Sequence, residues 1–123
     1  TSVNWTPSKR GSKPARSTTN LVSAKKLARI RALCEADPGN PFGWYSLAIE
    51  QKKTDAAAAL EIFARVHSEH ADYLPNYYHY GQTLADDGEV DQAKAVLEQG
   101  IAVATKAGDA HTLGELRDAL DLL

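Results

Sequence analysis

The sequence predicts an all-α fold: two antiparallel helix-pair repeats flanked by an N-terminal helix and a C-terminal capping helix. Three observations predict it. Apolar residues recur at helical spacing in six segments, and no stretch alternates with period two. Turn-forming Pro, Gly, Asp and Asn separate the segments. The chain also repeats itself: Trp44, Leu47, Ala48 and Gln51 recur 33 residues on as Tyr77, Tyr80, Gly81 and Leu84. Ala59, Ile62 and Phe63 recur 34 residues on as Ala93, Val96 and Leu97. At 123 residues, 43% hydrophobic and 24% charged, the chain is sized for one globular domain with a tail. No apolar run approaches the roughly 20 residues that span a bilayer. No apolar stretch follows the basic N-terminus as a secretory signal would require.

In chain order, Leu27, Ile30, Leu33 and Cys34 share one face of a first helix, with Ser23 as its N-cap. Asp37-Pro38-Gly39-Asn40 ends it, and Pro41 opens a second helix to about Lys53. Asp55 caps an alanine-rich third helix reaching about His70. Pro75 opens a fourth, to about Ala85, and Asp86-Asp87-Gly88 is a turn. A fifth runs from Val90 to about Lys106. Asp109 or Thr112 starts the last, whose Leu113, Leu116, Leu120 and Leu123 cover the back of the second repeat. Leu27, Ile30 and Leu33 are expected to cover the front of the first.

The pattern large-x-x-Leu/Tyr-Ala/Gly, followed by a small Ala and a large residue four later, resembles the tetratricopeptide repeat over about residues 24–123. More closely, the body resembles small stand-alone bacterial proteins of that family. The resemblance implies paired helices packed closely at Ala48, Gly81, Ala59 and Ala93, with Trp44 against Phe63 and Tyr77 against Leu97. It also implies a concave groove lined by the first helix of each pair. Matched to this sequence, the groove takes Tyr45, Ile49 and Lys52 from repeat one, and Tyr78, Gln82 and Asp86 from repeat two. Ser46 and His79 stand where a carboxylate-clamp subfamily carries Asn, so that clamp is not supported.

Charge divides the chain. Residues 1–34 hold eight basic residues and no acid; the other six basic residues share positions 35–123 with all 16 acids, a net −10. Residues 1–22 read as a basic Ser/Thr/Pro-rich tail and 23–123 as the helical domain. The tail offers Trp5, Lys9, Arg10, Lys13 and Arg16 as anchors for an acidic surface.

Catalytic patterns are missing from the sequence. The glycines form no phosphate loop, and the serines sit in no nucleophile elbow. His67 and His70 lie one turn apart but lack a third ligand at a fixed spacing, and His79 and His111 read as surface residues. Cys34, the only cysteine, excludes an intramolecular disulfide and reads as a small core hydrophobe in a reducing cytoplasm. No cofactor or metal is expected.

The functional expectation is therefore a non-catalytic adaptor. Its groove would take an extended, basic protein segment, including the chain's own tail in cis or in trans. The alternative is an anionic-surface or nucleic-acid binder acting through the basic arm, which the −10 body would oppose. A targeting role for the tail, or its fusion to the domain as a partner peptide, would also fit its composition.

Overall fold

The computed structural model describes residues 14–123, with side chains from residue 23 onward. Its six helices are α1 (Pro14–Ala36), α2 (Pro41–Gln51), α3 (Ala56–Glu69), α4 (Leu74–Asp86), α5 (Val90–Ala107) and α6 (Ala110–Asp121). No strand occurs among the described residues. Each helix packs against the next, and α6 also reaches back to α4. Helices α2 and α3 form the first pair, α4 and α5 the second.

Local chemistry sets the starts. The Asn40 side chain accepts a hydrogen bond from the Phe42 N–H (3.0 Å), and Pro41 takes the first turn. Asp55 accepts from the Ala58 N–H at 3.1 Å, and Asp109 from the Thr112 N–H at 3.0 Å. These bonds, Thr112's first, hold the Asp109 carboxyl below the usual range. Gly108, at φ 73°, supplies the left-handed residue that ends α5.

The first helix departs from the sequence expectation. It begins at Pro14, and Ser23 is an interior residue rather than the N-cap. Pro14 suits a first helical turn, and no Gly or Pro interrupts positions 15–36. Residues 14–22, expected to be irregular, are part of the helix. The tail anchors Trp5, Lys9, Arg10 and Lys13, and the Arg16 side chain, lie outside the described residues.

Packing falls into two unequal clusters. The smaller joins Ala48, Ala59 and Phe63. The larger joins Tyr77, Leu84, Ala93, Val96, Leu97, Ala104 and Leu116. The small residues act as the repeat pattern requires. A Cβ on Gly81 would stand 2.6 Å from Leu97 Cδ2, so only glycine lets α4 and α5 come this close. Gly100 does the same from α5: its Cβ would stand 2.7 Å from that of Tyr77.

Two packing expectations are corrected. Phe63 stacks on Tyr80 (6.1 Å between centroids) rather than on Trp44. Trp44 sits half-buried at the flank, donating Nε1–H to the Pro38 carbonyl at 2.9 Å beneath the Arg65 guanidinium. The α1–α2 turn offers the indole N–H an acceptor. Leu33 is 64% exposed and does not cover repeat one. Cys34, next along α1, takes the inward position instead and is fully buried, close under Gly43. At the other end Leu116 is fully buried, with Leu113 and Leu120 packed against the same cluster.

Candidate peptide-binding clefts

The first helices of the pairs share a register that fixes which residues face where. Each follows a capping residue: Asn40, Tyr73 and Asp109 for α2, α4 and α6. The seventh helical positions are then Leu47, Tyr80 and Leu116, and the eighth are Ala48, Gly81 and Arg117. Ala48 and Gly81 are buried under the second helix of their pair, whereas Arg117 is exposed. Helix α6 thus keeps the register of an inner helix, with a long cation where the small contact residue belongs.

The six groove residues do not line one continuous channel. Tyr78, Gln82 and Asp86 line a cleft of about 450 Å³ between α4 and α6. Tyr45 and Ile49 line another, of about 300 Å³, between α1 and α2. Lys52 shares only a shallow notch with Asp86 and Asp87. A run of rings separates the two clefts. The Tyr45 ring lies edge-on to Tyr73 and to His79, 5.6 Å from each, and His79 lies 5.2 Å from Tyr78.

His79 is the residue that sequence reading misplaced. It is half-buried among these rings rather than on the outer surface, and its Nδ1 is buried with no hydrogen-bond partner among the described residues. Burial, then Lys52, push its pKa below the ordinary imidazole value, and Glu115 opposes them weakly. The signal was present in the repeat register: position 79 is the counterpart of Ser46, which lines the α1–α2 cleft.

The α4–α6 cleft combines an apolar floor with an acidic rim. Ala85, Leu97 and Ala119 form the floor, with Leu122 and Leu123 at one end. Asp86, Glu115 and Asp118 supply three carboxylates, and among the described residues no cation lines it. The Gln82 amide donates to the Tyr78 hydroxyl at 3.3 Å, fixing both polar groups at the cleft wall.

The other candidate groups are structural. His67 pairs its Nε2 with Gln99 Oε1 at 2.7 Å and packs against Tyr77 and Tyr80. His70 terminates α3 through its backbone N–H. Among the described residues, no cluster of three or more His, Cys, Asp or Glu has the arrangement to hold a metal ion. No described helix is long and apolar enough to cross a membrane. Burial, partly offset by Arg31, raises the Cys34 thiol pKa, the opposite of an activated nucleophile.

Stacked helix pairs with clefts between their inner helices define a helical-repeat scaffold. A family model described as "Tetratricopeptide repeat" matches residues 48–116, and the chain belongs to that family. The family builds protein–protein interaction modules and is typically non-catalytic. The chain is similar to the solution structure of a tetratricopeptide repeat domain protein from Salinibacter ruber. The two are 39% identical with a TM-score of 0.65, over 68% of this chain and 86% of that one. It is also similar to a crystal structure of such a domain protein from the same organism, at 36% identity and a TM-score of 0.62, over 66% of this chain and 91% of that one. None of the curated proteins matches.

Proposed function

We propose that the protein is a non-catalytic adaptor whose α4–α6 cleft binds an extended basic peptide with an apolar or aromatic anchor residue. The observation that carries this reading is the make-up of the cleft: an apolar floor rimmed by Asp86, Glu115 and Asp118. An anchor side chain buries area on Ala119, Leu122 and Leu123, while flanking Lys or Arg residues meet the carboxylates. Tyr78 supplies a rigid surface that binds at modest entropic cost. The chain's own residues 1–13, with Trp5, Lys9, Arg10, Lys13 and no acid, have the chemistry of such a ligand, in cis or in trans.

The test is titration of a synthetic 1–13 peptide into a chain that starts at residue 14, followed by backbone amide shifts. Saturable shifts at Tyr78, Gln82, Glu115 and Ala119, weakened by salt, are expected. A Tyr78→Ala variant should lose them. Shifts absent at millimolar peptide would sink the tail as ligand. An unrelated Trp-containing basic peptide that also fails would sink the cleft assignment itself.

A further inference from the structure

The front of the array carries a second surface with a different chemistry. Two hollows of about 400 and 300 Å³ share Ile30 and Ser46 and form one furrow along α1 and α2. Its floor is apolar, and Leu33 and Phe42 are 64% and 61% exposed.

The repeat shows what shape fits there. Counting 33 residues on, Ile30 and Leu33 of α1 correspond to Phe63 and Val66 of α3. Those two are 0% and 1% exposed, with Phe63 packed against Ala48 of α2. By the same step, Gly43 and Ser46 of α2 correspond to Asn76 and His79 of α4. His79 packs against Tyr45 of α2. Helix α2 therefore covers, one repeat later, the surface that α1 and α2 leave uncovered among the described residues.

Charge selects among helices. Lys26 lines the furrow, and Lys25 and Arg29 are exposed beside it on α1. Of the two carboxylates on the furrow, Glu50 is already paired with Lys26 (3.2 Å) and Lys53 (3.1 Å), leaving Asp37. Segment 1–13 suits the site poorly, because it is basic and Pro7 and Gly11 interrupt a helix. A second copy docked face to face would bring one basic α1 against another.

We propose that this furrow docks a partner's amphipathic helix, lying as α2 lies on α3 and α4, with an apolar stripe inward and acidic residues along its flanks. The adaptor then has two recognition surfaces of opposite preference. The front takes an acidic helix and the α4–α6 cleft a basic extended segment. The proposal does not depend on that cleft.

The test uses the full chain and two synthetic helical peptides of about 14 residues, or four turns. Both carry Trp, Leu and Ala at the spacing of Trp44, Leu47 and Ala48. One has Glu at the outward positions, the other Lys. The Glu peptide should bind at least about tenfold more tightly and less so at high salt. Amide shifts should centre on Ile30, Leu33, Phe42 and Gly43. Leu33→Glu and Phe42→Glu should each abolish binding with helicity by circular dichroism unchanged, since both side chains are exposed. Failure of both peptides to bind, equal affinities, or shifts centred on Tyr78 and Glu115 would overturn the proposal. So would self-association removed by Leu33→Glu, which assigns the furrow to a second copy. Binding of a DNA duplex lost in a Lys25→Glu/Arg29→Glu variant but kept in Leu33→Glu would assign the basic flank to nucleic acid instead.

Discussion

The two ends of the array bury leucine very differently. At the back, α6 sends Leu116 into the seven-residue cluster with no exposure, and turns Arg117 and Asp118 to solvent. At the front, α1 buries Cys34 but leaves Leu33 in water, and α2 leaves Phe42 beside it. Both ends consist of one amphipathic helix laid on a repeat. The back exposes leucine only past the end of α6, at Leu122 and Leu123, whereas the front keeps the apolar face of an interior repeat on its helices. Apolar side chains at a helix-shaped furrow are what an interaction site leaves exposed, whereas a cap exposes charge.

Substitutions can sharpen or break this contrast. The largest difference is expected between the two leucines. Leu116→Ala should lower stability by about 2–5 kcal/mol, because it empties a packed site. Leu33→Ala should change it by less than about 0.5 kcal/mol. Urea unfolding of each variant checks both, and comparable losses would show that the front is packed as well as the back. Glycine is next. Gly81→Ala drives a methyl group into Leu97 and should cost about 1–3 kcal/mol. Gly43→Ala places its Cβ at 3.5 Å from Cys34 Sγ, an ordinary contact, and should be neutral or stabilising by up to about 1 kcal/mol.

A smaller effect lies between the two clefts. His79 has a folded pKa below its unfolded value, so the unfolded chain takes up the proton first as pH falls. Its contribution is complete above the unfolded value near 6.5 and is lost as pH falls below it towards the lowered folded value. Melting temperature should therefore drop between pH 7 and 5, and His79→Gln should flatten that part of the curve. An unchanged slope would show that His79 titrates alike in the folded and unfolded chain, so that its burial does not lower its pKa. Gly114→Ala should give a small gain of about 0.5–1 kcal/mol, because an added Cβ there meets open space in mid-helix.

Most of the fold was legible because two periods coincide: helical spacing within each segment and a 33- or 34-residue step between them. That step identified Ala48, Ala59, Gly81 and Ala93 as close-packing positions, and all four are buried. The start of α1 was not legible, because Ser/Thr-rich composition reads as irregular while Pro14 opens an uninterrupted helical stretch. The rotation of α1 was also missed. Leu33 and Cys34 are adjacent on one stripe, and only the packing of α2 decides which of them turns inward. The division of the groove was hidden for the same reason. His79 packs between Tyr45 and Tyr78, a placement that helical spacing alone does not encode and only the repeat register, through its counterpart Ser46, points to.

Arg117 bears on how such an array lengthens. The eighth position of an inner helix must be small wherever an outer helix follows it, as at Ala48 and Gly81. Duplicating the segment that encodes α4 and α5, and inserting the copy ahead of α6, would keep the contacts α6 already makes and add one new junction, where α5 meets the copied α4. Appending a helix after α6 would first require a point mutation at residue 117 to glycine or alanine. Internal duplication therefore leaves Arg117 in place and asks only that α5 accept the copied α4, whereas a further outer helix packed on α6 needs residue 117 replaced as well.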